Sequence, residues 1–363
     1  MNQNNILKNL TIVLCVYGRS EFSERFLKYM TEIRYSFPIL VADGDDSPEI
    51  KDLIKQHQEL NIKLLPFKQK EKFKDYYLMI VNALNKVDTK YSMLVDNDDF
   101  VIKNGLNKLL NFLDNNPDYV SAGTSLLRIQ IDNHAIKTYG KNVSFFEKYN
   151  HRIEDEPLDN WEDQFKQVIL NFQPNFYNVY RTEVLQNVWK EILSLNFSDL
   201  TVMELFKICR VPTIGKQKSF DNFFHYVRQS GTGSSSENYD FSSNLVQGDL
   251  PNDIRLLSNK ISEKVYKEDS RKNKLYNQIL ENYAQSLNNY LPNIMLRFRF
   301  KKLFNFKQKL VRILFSVPII NLVRYWIKDK KILSELKSKN AENSALLEEL
   351  DELKNFLKFI NYC

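Results

Sequence analysis

The stretch YSMLVDNDDF, residues 91–100, decides the fold. YSMLV reads as a buried strand, and it runs directly into Asp96-Asn97-Asp98-Asp99. Carboxylates this close repel one another unless solvent or a cation compensates them. Hard divalent cations such as Mg2+ and Mn2+ take oxygen ligands and share them with substrate phosphates. An acidic turn at the carboxyl end of a strand therefore reads as a metal–diphosphate site, or as a solvated turn that caps the following helix.

Upstream, LTIVLCVY (residues 10–17) is a continuous β-rich run of the kind buried on both faces of a sheet. Residues 21–32 place Phe22, Phe26, Leu27 and Met30 at helical spacing. PILVA (38–42) is a second strand, ending at Asp43-Gly44-Asp45-Asp46. A helix over 49–58, a strand over 62–66 and a helix over 75–87 complete the approach to residue 91. This β-α alternation predicts an α/β domain with a mostly parallel sheet. Ligands of such sheets sit beyond the carboxyl ends of the strands. Tyr17 to Arg19, Asp43 to Asp46 and Asp96 to Asp99 are thus expected around one crevice. It would offer an aromatic face, a flexible glycine, a cation and carboxylates.

TIVLCVYGR, ILVADGDDS and YSMLVDNDDF, in that order and spacing, resemble family 2 glycosyltransferases with the GT-A fold. FYNVYRTEVL and FFHYVRQSGTGSS resemble the acceptor half of a bacterial subgroup. The resemblance implies a Rossmann-like, mostly parallel sheet with helices on both faces. It also implies a metal-dependent, inverting transfer from a nucleotide-sugar donor, UDP-linked, to a glycan or lipid-linked acceptor in cell-surface polysaccharide synthesis. Mn2+ or Mg2+ is the implied cofactor. By position, Tyr17 and Arg19 would flank the nucleotide and Asp43 would read the base, with Asp75 in the helix beside it. Asp96 would touch the ribose or the metal, and Asp98 would be the principal metal ligand. For the general base an inverting enzyme needs, Asp199 and its rival Glu204 are the candidates, with Glu162 and Asp163 further back. Asp199 also reads as a helix N-cap. His225 would complete the metal shell, Arg228 would neutralise the leaving diphosphate, and Ser230–Ser236 would form a lid.

Composition bounds the rest. The 363 residues, 43% hydrophobic with 25 Phe and 19 Tyr, exclude a disordered chain, and only 9 Gly exclude a collagen-like one. Cys15, Cys209 and Cys363 form no CxxC pair, and the 4 His form no HExxH. A disulfide framework and a cysteine-built zinc site are therefore not expected. MNQNNILKNL lacks the pattern of a signal peptide, so a cytoplasmic setting is expected, peripheral on the inner face of the plasma membrane.

The net charge of +6 is uneven: residues 291–331 carry 11 Lys or Arg against one acid. Within it, residues 296–331 interleave cations with Phe, Leu, Ile and Trp. That reads as a segment lying on an anionic membrane, or as a helix packed on the catalytic domain. Its longest apolar run is too short to span a bilayer, and no nucleic-acid module is recognisable.

Three divisions are expected. Residues 1–248 would form the GT-A domain, with a nucleotide half to about 130 and an acceptor half over 131–248. Residues 249–335 would be a helical basic extension, and 336–363 a short heptad-patterned helix. Leu346, Leu350, Leu353, Leu357 and Ile360 in that helix suit either a weak coiled coil joining copies of the chain or packing on its own domain. A sugar-nucleotide pyrophosphorylase would want a Gly-rich basic loop where CVYGRSEFS stands, and a haloacid-type phosphatase would want its aspartates after the first strand. A catalytically inactive membrane-associated scaffold is the remaining alternative.

Overall fold

The computed structural model describes residues 9–70, 74–132, 137–149, 175–198, 200–229, 250–265, 318–339 and 344–359. Strands β1 (Leu10–Val16), β2 (Ile39–Asp43), β3 (Ile62–Pro66) and β4 (Tyr91–Asp96) alternate with helices α1 (Ser20–Glu32), α2 (Pro48–Gln56) and α3 (Lys74–Leu84). These are the elements the periodicity predicts. β1 pairs in parallel with β2 and β4, and β2 with β3. Every residue of β1 is buried, as a strand covered on both faces requires.

After β4 come β5 (Phe100–Val101), α4 (Lys103–Asn115), β6 (Tyr119–Thr124), β7 (Leu126–Ile131) and β8 (Val143–Tyr149). Then follow β9 (Val179–Arg181), α5 (Thr182–Leu195), α6 (Leu200–Arg210), β10 (Lys216–Phe220) and β11 (Tyr226–Gln229). The main sheet runs β10-β6-β9-β4-β1-β2-β3, with β9 antiparallel to both neighbours. A second sheet, β5-β11-β7-β8, stands beside the acidic turn. β5 follows that turn directly, so β11 is brought against it through the β5–β11 pairing.

Alternation along the strands divides the core. Ile12, Leu14, Met93 and Val95 face one layer with Phe26, Leu106 and Leu109; Val13, Leu40 and Leu94 face the other with Ile80, Trp189 and Phe206. Gly105 in α4 is required by a close approach, since a Cβ there would stand 1.9 Å from the Phe224 carbonyl oxygen.

Three further helices, α7 (Leu250–Val265), α8 (Pro318–Lys339) and α9 (Ser344–Phe359), lie against this body. α7 sets Ile254, Leu257 and Ile261 into the layer of α6, and its Asp253 accepts the Ser198 N–H at 2.8 Å. In α9 the heptad leucines Leu346, Leu350, Leu353 and Leu357 are all buried in the chain's own core. Of the two uses the heptad suits, packing on the chain's own domain is the one these leucines serve here.

Two polar contacts pin these helices. Asp329 of α8 accepts the Phe145 N–H at 3.0 Å and pairs with Lys354 of α9 at 2.7 Å. Helix α4 begins after Ile102, which has no capping side chain; the Glu349 carboxylate of α9 takes the N–H groups of Lys103 and Asn104 instead. No helix among the described residues is long and apolar enough to cross a membrane. The side chains of residues 296–326, most of the basic segment, lie outside those described, as do the expected lid at 230–236 and Glu162 and Asp163.

Candidate active site

The acidic turn forms the centre. One carboxylate oxygen from each of Asp96, Asp98 and Asp99 lies within 4.8 Å of the others. The Asp99 N–H closes the turn on the Asp96 carbonyl at 3.3 Å. Each acid has its own surroundings. Asp96 accepts the Tyr177 hydroxyl at 2.7 Å, Asp98 pairs with the Arg19 guanidinium at 3.1 Å, and Asp99 accepts the Gln229 N–H at 2.8 Å and the Tyr226 hydroxyl. Desolvation, then repulsion from Asp98, pushes the Asp96 carboxyl up to about 6. The same two causes raise Asp99.

Cations face this charge. Arg19 ends the β1 loop in a left-handed conformation (φ 53°) next to Gly18 (φ 62°), a geometry that glycine adopts without strain and arginine only rarely. Asn97 fixes that loop, donating to the Arg19 carbonyl at 3.3 Å and to the Ser23 hydroxyl at 2.9 Å. Arg228 of β11 stands close enough to Tyr177, Asp99, Tyr226 and Asp96 that these groups raise its pKa despite burial. The Tyr177 and Tyr226 rings stack at 4.1 Å and 14°, each hydroxyl donating to a different acid. Hard oxygen donors converging between two cations suit a small divalent ion with an attached anion, so the donor set fits the expected metal.

Of the residues expected here, the structure brings together Arg19, Asp96, Asp98 and Arg228. Tyr17 stands at the mouth, 52% exposed. Glu204 on α6 is within electrostatic reach of Arg228, Lys207 and Asp96, and desolvation raises its carboxyl pKa. Asp199 lies outside the described residues.

Three more of the expected residues are held by contacts of their own. Asp43 is 0% exposed, its two oxygens accepting the N–H groups of Asp45 (3.1 Å) and Ser47 (2.7 Å), so it holds its own turn. Asp75 accepts the Lys70 N–H at 2.5 Å and closes the loop before α3. His225 is buried with Nδ1 on the Thr124 hydroxyl at 2.8 Å and Nε2 on the Tyr177 carbonyl at 2.9 Å. Side chains alternate along a strand, so Tyr226 and Arg228 share the face toward the acids while His225 turns to the other. Burial pulls the His225 pKa down to about 4 and leaves the ring neutral.

Sequence reasoning assigned no role to Tyr177, Tyr226, Asn97, Arg25 or Gln229. The period-two pairing of Tyr226 with Arg228 was the available signal for the first strand partner. Nothing local marks the others, whose partners lie far along the chain.

The sequence profile "Glycosyl transferase family 2" matches residues 11–189. No curated protein matches the chain. Among solved structures, S. aureus TarS 1–349 in complex with UDP-GlcNAc superposes with a TM-score of 0.50 at 14% identity, over 78% of this chain and 75% of that one. The mannosyltransferase PcManGT from Pyrobaculum calidifontis, in complex with GDP-Man and Mn2+, gives 0.43 at 11% identity, over 88% and 86%. The strand order, the acidic turn after β4 and the profile agree: residues 11–189 belong to glycosyl transferase family 2, and the chain is a glycosyltransferase with a GT-A fold.

Proposed function

We propose that the chain moves a sugar from a nucleoside-diphosphate donor to an acceptor hydroxyl, with inversion, in a divalent-metal-dependent reaction. The observation that carries this reading is the convergence of the Asp96, Asp98 and Asp99 carboxylates between Arg19 and Arg228 at the end of β4. Asp96 and Asp98 would hold Mn2+ or Mg2+, which when bound supplies Lewis-acid stabilisation of the departing diphosphate. Arg228, held charged by its acidic and phenolic neighbours, adds fixed positive potential there. Tyr17 offers its exposed ring for a base to stack on.

Direct attack by the acceptor needs a general base and no enzyme nucleophile. Glu204 meets that need among the described residues, since burial raises its affinity for a proton and it lies within electrostatic reach of Asp96 and Arg228. Asp199 keeps the same candidacy on sequence grounds. The glycan or lipid-linked acceptor would be presented at an anionic membrane by the basic segment 296–331, whose charge supports that placement.

UDP, the nucleotide of the TarS complex, is the first probe. Calorimetry of UDP with and without Mn2+, on wild type and Asp98→Asn, should show binding that needs the metal and disappears in the variant. Metal-independent binding of equal strength in both proteins would refute the metal role. Failure of UDP, GDP, CMP and dTDP alike would refute the donor reading.

A further inference from the structure

Arg25 is the only arginine among the described residues that is 0% exposed, and it lies directly beneath the acidic turn. Its planar guanidinium is sandwiched between the Phe22 and Phe100 rings, 4.8 and 4.5 Å from their centroids. Edge-on, Nη2 donates to the Asp98 carbonyl at 2.7 Å, while Nη1 donates to the Gln229 side-chain oxygen at 2.5 Å and the Thr138 carbonyl at 2.8 Å. Gln229 returns the connection, its backbone N–H going to Asp99 at 2.8 Å and its side-chain amide to the Lys137 carbonyl at 2.8 Å.

These contacts close a ring: Asp98 carbonyl, Arg25, the Gln229 side chain, the Gln229 N–H, the Asp99 carboxylate, and back through the chain to Asp98. The 98–99 peptide is held at both ends by buried bonds, and these fix the direction in which the Asp98 side chain leaves the backbone. We propose that Arg25 is a positioning residue for Asp98, and that Asp99 serves as the strut tying the acidic turn to β11 rather than as the principal ligand. This rests on the reading of Asp98 as the group that meets the metal. Both side chains carry enough N–H donors for three acceptors, but only the planar guanidinium lies flat between two rings while its N–H groups point outward in that plane; an ammonium on a flexible stem does not. Residues behind a ligand that fix its orientation are worth roughly 10–100-fold in metal affinity.

The test uses the full chain as wild type, Arg25→Lys and Gln229→Ala, at a temperature where circular dichroism shows all three folded. Hydrogen exchange reads the order of residues 96–101 with no ligand present, and electron paramagnetic resonance reads Mn2+ affinity. In Arg25→Lys, exchange in 96–101 should rise at least about tenfold while β1 and β2 keep wild-type rates, and the Mn2+ dissociation constant should rise about tenfold. Gln229→Ala should move both in the same direction by less. Wild-type exchange at 96–101 with unchanged Mn2+ affinity, or exchange raised evenly over all core strands with unchanged affinity, overturns the proposal. Should Arg25→Lys fail to fold, Gln229→Ala decides by the same two readings. A wild type that binds no Mn2+ would sink the metal reading alone, and the exchange data would still judge Arg25.

Discussion

Metal affinity should depend on pH through Asp96. Desolvation and the neighbouring Asp98 push its carboxyl up to about 6 in the metal-free protein, against the opposing Tyr177 hydrogen bond and the Arg228 and Arg19 charges. A cation binds the carboxylate and not the acid, so binding must expel the proton wherever one is held. With a pKa of about 6, the group is roughly nine-tenths ionised at pH 7 and about one-tenth at pH 5. The apparent association constant for Mn2+ should therefore fall about tenfold over that interval, or about 1.4 kcal/mol. Titration by electron paramagnetic resonance in non-chelating buffers at pH 5, 6 and 7 measures it. The linkage sign for folding is the reverse of the usual carboxylate. The folded state holds this proton more tightly than the unfolded chain, so the metal-free protein gains stability as pH falls from 6 toward 3.8, on the order of 3 kcal/mol. An Mn2+ affinity constant within twofold from pH 7 to pH 5 would refute the reasoning.

Other outcomes follow from single contacts. Glu349→Ala should cost about 1–2 kcal/mol in urea unfolding, because two amides at the start of α4 lose their acceptor, and Glu349→Gln should cost less; an unchanged midpoint would remove the cap from the account. His225, pulled down to about 4 by burial, contributes stability above its unfolded value near 6.5 that is lost as pH falls through 4. The advantage of wild type over His225→Gln should accordingly shrink by on the order of 3 kcal/mol across that window, as read by urea midpoints. Glu204→Gln should lower kcat by about 10²–10⁴ with KM nearly unchanged if it is the base; a kcat within threefold would shift that role to Asp199.

The nucleotide half was legible because its signals are local. Each strand from Leu10 to Asp96 is a short apolar run, each helix an amphipathic repeat, and the acids stand together at Asp96–Asp99. What could not be read depends on distant partners. Arg25 sits between Phe22 and Phe26 on what looks like the flank of an amphipathic helix; its burial is decided by groups at 98, 138 and 229. Asp43 looks as exposed as its acidic neighbours, but the turn folds its own amides back onto it. For His225 the difficulty is parity: β11 is four residues long, and a one-residue shift exchanges His225 for Tyr226 at the site. The α9 leucines carried a heptad whose partner the sequence did not name, and the partner proved to be the chain's own core.

The bond from Glu349 to the start of α4 spans 246 positions of sequence. On a ribosome adding about 5–20 residues per second, roughly 10–50 s separate the synthesis of those two ends. Throughout that interval the nascent α/β half carries the first amides of α4 without their carboxylate. The surface of Tyr29 that Phe356 later covers, at 5.5 Å between ring centroids, is likewise open to water. Formation of α4 and the capping of its first turn are thus separate events in the birth of the molecule. Apolar surface left uncovered in the gap between them is the kind that makes a folding chain prone to aggregate.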